Sequence, residues 1–160
     1  MNRACFIVAF SLLLGCSGEL TEILVVVDSD LAVAELDAIE VRVTGSQTMS
    51  ASGSLTGAPL PRTVGVVHSG GALGPIEVRV VGSLGGSPVV EAVASTSFLR
   101  GRTLVLPVFL GRNCRMVTCG DGQTCVNGTC ASAAVDPSSL VEWSGTVPEV
   151  DGGNRCEAAA

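Results

Sequence analysis

The chain has no lysine and no tyrosine, one histidine, one tryptophan and four phenylalanines among its 160 residues. So few aromatic rings exclude a stacking platform for bases or sugars. All nine basic residues are arginine, and the formal charge is -6. That acidity argues against nucleic acid as a partner and against a polybasic membrane-surface site. With His68 the single histidine, any Ser-His-Asp or Cys-His mechanism must pass through it. It stands near the end of an expected strand, before Ser69-Gly70-Gly71, and no G-x-S-x-G nucleophile elbow accompanies it. The plain account is a strand-end histidine in a protein that is not an enzyme, with a hydrolase using His68 as a second alternative. Also lacking is any apolar run of the roughly 20 residues that a helix needs to cross a bilayer core.

What is present begins with "MNRACFIVAFSLLLGC". A cationic start at Arg3 and a short apolar stretch from Ala4 to Leu14 read as a secretory signal peptide covering 1–15. Its end, Leu13-Leu14-Gly15-Cys16, resembles the bacterial lipobox, in which the cysteine receives diacylglycerol and becomes the new N-terminus. The resemblance implies that Cys16 is lipidated, that residues 16–20 form a short leash, and that the protein is lipid-anchored in a bacterial cell envelope, most simply at the outer membrane.

An exported chain meets oxidising conditions, and this bears on "CRMVTCGDGQTCVNGTC" at 114–130. Zinc knuckles place cysteines in close pairs separated by a long gap. Here the gaps are nearly even, which suits two interleaved loops and therefore disulfides. Of three connectivities, the interleaved one pairs Cys114 with Cys125 and Cys119 with Cys130. Asn127-Gly128-Thr129 supplies a turn. Cys156 is left over once Cys5 departs with the signal peptide and Cys16 carries lipid, which leaves two readings, an intermolecular disulfide, most simply a homodimer through two tails, or a free thiol on a frayed end.

Between Thr21 and Leu110, short β-branched runs alternate with Gly, Ser and Pro, the pattern of an antiparallel all-β domain. Six strands are predicted, over 22–28, 38–45, 61–69, 74–82, 88–98 and 102–110. "IEVRV" occurs at 39–43 and again at 76–80, each copy with one apolar and one charged face. Such strands suggest two packed sheets, an immunoglobulin-like or related Greek-key sandwich over 21–112. A cysteine-rich disulfide module at 113–131 and a partly disordered tail at 132–160 complete the organisation. Pro107 implies an edge position or a bulge. Residues 45–59, rich in Ser, Gly and Thr, read as a mobile loop or a poorly ordered strand. Trp143 is expected to fold back on the body or on the cysteine segment.

Asp28, Asp30, Glu35 and Asp37 form a local acidic cluster and a candidate calcium site, which would make the protein a calcium-assisted adhesion or recognition protein. The stretch "ILVVVDSDLA" is similar to the metal motif of integrin-type inserted domains but departs from it at Asp30 and Ala32. An EF-hand loop is excluded, since neither its Gly nor its Glu is in place. No cofactor is expected.

Taken together, the lipobox, the valine-rich β region, "NCRMVTCGDGQTCVNGTC" and "VEWSG" resemble uncharacterised surface lipoproteins of myxobacterial type. The cysteine segment by itself resembles a reduced EGF-like module, with four cysteines in place of six. That resemblance implies a contact-making envelope protein whose partner is another envelope protein or a surface ligand, and it brings no activity with it.

Overall fold

A computed structural model describes residues 20–150 of the chain. The strands are β1 (Glu22–Ser29), β2 (Ala38–Gly45), β3 (Met49–Ser54), β4 (Arg62–Val67), β5 (Ile76–Leu84) and β6 (Ser87–Thr96), followed by β7 (Thr103–Leu110), β8 (Gln123–Val126), β9 (Thr129–Ser132) and β10 (Val141–Glu142). All six predicted strands form. In β2, Ile39, Val41 and Val43 turn inward while Arg42 stays exposed, and β5 repeats the pattern with Ile76, Val78 and Val80. The two copies of "IEVRV" are hydrogen-bonded neighbours running antiparallel, Val41 opposite Val80 and Arg42 opposite Arg79. Like charges placed opposite each other repel. Each is compensated here: Arg42 meets Glu40 at 2.6 Å, and Arg79 meets Glu77 at 3.0 Å and Glu91 at 2.5 Å.

One sheet has the order β3-β2-β5-β6 and the other β10-β7-β1-β4, so the body is the all-β sandwich that alternation predicts. Strands β2, β3 and β4 follow one another around the sandwich and β5 returns beside β2, which is a Greek key. Every pairing between these strands is antiparallel except that of β1 with β7, which is parallel from Glu22 opposite Thr103 to Ser29 opposite Leu110. Ile23, Val25 and Val27 of β1 and Leu104, Leu106 and Val108 of β7 face the sheet of β2 and β5 across one apolar core, with Leu36 and Phe98 filling it from connecting segments.

The stretch read as a loop or poorly ordered strand, 45–59, contains β3 in full register with β2, from Val43 opposite Met49 to Ala38 opposite Ser54. Its inward positions, Met49, Ala51 and Gly53, are only half-buried. With small residues on both faces the strand carries little hydrophobic alternation, and it is ordered by its neighbour's ladder, not by its own pattern. Among the described residues, β7 has no strand partner on its far side at Pro107, because β10 reaches only Leu104 and Val105. Beyond β10, Trp143 packs with Val150 and Phe109 over Val26 and Val105, on the outer face of the β1–β7 sheet. Part of the expected tail is therefore ordered against the body. Among the described residues, no helix is long and apolar enough to cross a membrane.

Candidate functional site

The cysteine segment is bridged as the interleaved pattern predicts, Cys114 to Cys125 and Cys119 to Cys130, with Cα separations of 5.7 and 5.6 Å. A 3₁₀ turn at Arg112–Cys114 begins it, and the β8–β9 hairpin ends it. The hairpin closes on Asn127 and Gly128, at φ of 49° and 84°. Two successive positive φ values are what a type I′ turn requires, and Asn-Gly supplies them with the least strain. Cys114 and Cys125 are buried and belong to the sandwich core.

The module and the residues directly after it lie along β6, the last strand of its sheet. Val93 N–H donates to Thr124 Oγ1 at 2.9 Å, Ser95 N–H to Ala133 O at 2.7 Å, and Met116 N–H to Val89 O at 3.0 Å, while Ser95 O accepts from Val135 N–H at 2.8 Å. A sheet edge otherwise presents a row of unpaired donors and acceptors. Thr124, 4% exposed, turns its hydroxyl onto that row. Nothing in the local sequence marks it for this role; the signal lies in the partner strand.

The acidic residues do not converge. Asp28 accepts from Ser29 N–H at 2.8 Å, Asp30 accepts from Arg112 N–H at 2.6 Å, and Asp37 accepts from Gly85 N–H at 2.8 Å. Glu35 lies between Arg112 at 2.7 Å and Arg115 at 3.2 Å. The N–H of Ala32 first, and then the Arg112 guanidinium, hold its carboxyl below the usual range. A hard cation needs carboxylates directed at one point, and these are directed at two arginines and four backbone amides. Among the described residues, no group of three or more His, Cys, Asp or Glu side chains has the geometry to hold a metal ion.

His68 is half-buried, its ring tilted against Phe98 with centroids 5.3 Å apart and Nε2 3.3 Å from Ala72 O. The structure thus places it in a packing and turn-closing contact at the end of β4. Cys16 and Cys156, the lipidation and intermolecular-disulfide candidates, lie outside the described residues, as do the signal peptide and the last ten residues.

One concave feature was not anticipated. At the side where β3 and β4 face each other, a cleft of about 290 Å³ opens between the sheets, lined by Ile39, Val41, Ala51, Gly53, Arg62 and Val64. A second cleft of about 200 Å³ lies where Asp30, Phe109 and Arg112 meet the cysteine module. Fold and site together define the class: a Greek-key β-sandwich with a doubly disulfide-bonded module closing one sheet edge. Compared with known protein families, with curated proteins and with solved structures, the chain matches none.

Proposed function

We propose that the protein is a lipid-anchored component of a bacterial cell envelope, held through Cys16 at the outer membrane, with a non-catalytic binding or structural role. The observation that carries this reading is the pair of disulfides, one of them packed into the sandwich core. Persisting disulfides belong to exported proteins, and the only export signal in the chain is the N-terminal segment ending in Leu-Gly-Cys. The resemblance to surface lipoproteins of myxobacterial type favours the same assignment. So does the use of the candidate groups: the acidic residues and His68 are engaged in holding turns and strand ends together. The protein's work on this reading is to present its sandwich surface to another envelope protein or a surface ligand.

Cys16→Ser in the full-length chain tests the anchor. One acyl chain, at about 0.8 kcal/mol per buried methylene, binds a membrane only marginally, whereas the two or three chains of a lipoprotein hold it for good. The wild type is expected to incorporate labelled fatty acid and to sediment with membranes, and the variant to do neither. A variant that still sediments with membranes, or a wild type without label, removes the anchor from the proposal.

A further inference from the structure

The sandwich closes its sheet edges unequally. The edge of β6 is covered by the cysteine module, and the edge of β7 is covered in part by β10, with Trp143 N–H donating to Thr103 O at 2.8 Å. The edge of β4 is clasped at its end, where Gln47 Nε2 donates to Val67 O at 3.1 Å and Gln47 Oε1 accepts from Ser69 N–H at 3.2 Å. Among the described residues, no hydrogen bond reaches β3 on the side away from β2. Proteins blunt exposed edges with charge, proline or a bulge. "MSASGS" has none of the three, and its register with β2 runs without a break.

Two features make this edge more than bare backbone. Ile39 and Val41 lie behind Ala51 and Gly53, two of the inward residues of β3, whose small size leaves a cleft beside them. Across it reaches Arg62 from β4, its Nη2 3.6 Å from where a β-carbon on Gly53 would stand. Arg42, Arg79, Arg102, Arg112 and Arg115 each meet a carboxylate. Among the described residues, Arg62 and the exposed Arg100 do not, and Arg62 alone of these two is half-buried, at the mouth of that cleft.

We propose that β3 and the cleft beside it receive an extended polypeptide segment of a partner protein by strand addition, with an apolar side chain entering the cleft and an acidic side chain meeting Arg62. In strand addition the main chain supplies affinity, and pockets for alternate side chains supply selectivity. A partly desolvated, unpaired guanidinium is the group whose hydrogen bonds to a carboxylate strengthen most. The inference rests on the non-catalytic binding role proposed above and names the surface that performs it.

The test uses the full chain purified in detergent and a capped synthetic peptide alternating valine and threonine around one central glutamate. Hydrogen exchange with the peptide present is expected to protect the amides of Met49–Ser54. Arg62→Gln, or glutamine in place of the peptide's glutamate, is expected to weaken binding about tenfold, the size of a charge-assisted contact. Gly53→Val is expected to abolish it while the fold is kept, because Gly53 has no positive φ and a β-carbon there meets only Arg62 at ordinary contact distance. Peptide binding that leaves β3 unprotected, or that is indifferent to Arg62→Gln, overturns the proposal. So does protection of β3 that rises with protein concentration alone, which would mean a second copy fills the edge. A chain that stays membrane-bound through Cys16 yet shows no protected β3 overturns the docking site and leaves the envelope reading standing.

Discussion

Thr96 brings a hydroxyl into the core, at 4% exposure, where Oγ1 finds no hydrogen-bond partner among the described residues. A buried polar atom left unpaired costs about 1–3 kcal/mol, and valine matches the shape of threonine without that atom. Thr96→Val is therefore expected to raise unfolding stability by about 1 kcal/mol in a urea titration; an unchanged or lower midpoint would show that the hydroxyl is satisfied. Gly82 shows the opposite constraint. A β-carbon there would stand 2.5 Å from Leu36 Cδ1 and 2.7 Å from Val90 Cγ1, so the inward pattern of β5 has to break at that point. In the sequence both residues look like ordinary strand composition. Their roles come from side chains on other segments, Leu36 and Val90 among them.

At the scale of elements, the cysteine module acts as a cover for β6. Its turn at Asn127-Gly128 and its disulfide bonding follow from local spacing, and they were legible. Its docking was not, since Thr124 meets Val93 across 31 residues of chain. Bridging a loop of this size contributes roughly 3 kcal/mol in the chain-entropy account. The Cys114–Cys125 bridge is also buried in the sandwich core, whereas Cys119 and Cys130 are half-exposed. Cys114→Ala with Cys125→Ala is thus expected to cost more than Cys119→Ala with Cys130→Ala. Because that loss falls on the cover, amide exchange should accelerate at Val93 and Ser95 before it does at Val41 or Val80 in the centre of the sheet. Equal losses from the two double variants, with protection at Val93 intact, would mean that the module is not what closes the edge.

For the whole molecule, the net charge of -6 spreads over a surface where salt screens beyond about 8 Å at physiological ionic strength. The fixed contacts therefore govern its response to acid. Glu35 is held below the ordinary carboxylate range chiefly by Ala32 N–H and Arg112, Glu40 by Arg42 and Ser50, and Asp136 by the hydroxyl and N–H of Ser138. A carboxyl whose folded-state pKa is depressed adds stability that is complete above its unfolded value and is lost as pH falls through the folded one. The melting temperature is expected to hold from neutrality down to about pH 5 and to decline below about pH 4. Glu35→Gln should reduce the depth of that decline, and a melting temperature that rises on acidification would contradict the assignment.

The sequence by itself determined the β character, the six principal strands, the faces that β2 and β5 bury, and the disulfide bonding of the four clustered cysteines. Each depends on residues a few positions apart, where a period of two or a short covalent loop leaves few alternatives. Only the tertiary structure decided that β3 is a strand, that β1 and β7 run parallel, that β6 is covered while β3 is open, and that the acidic residues disperse. Those outcomes join distant segments: Arg112 N–H reaches Asp30 across 82 residues, and Arg62 meets the face of Gly53 from the opposite sheet. Alternation says that a residue faces inward, but what it meets there depends on how the two sheets are laid together.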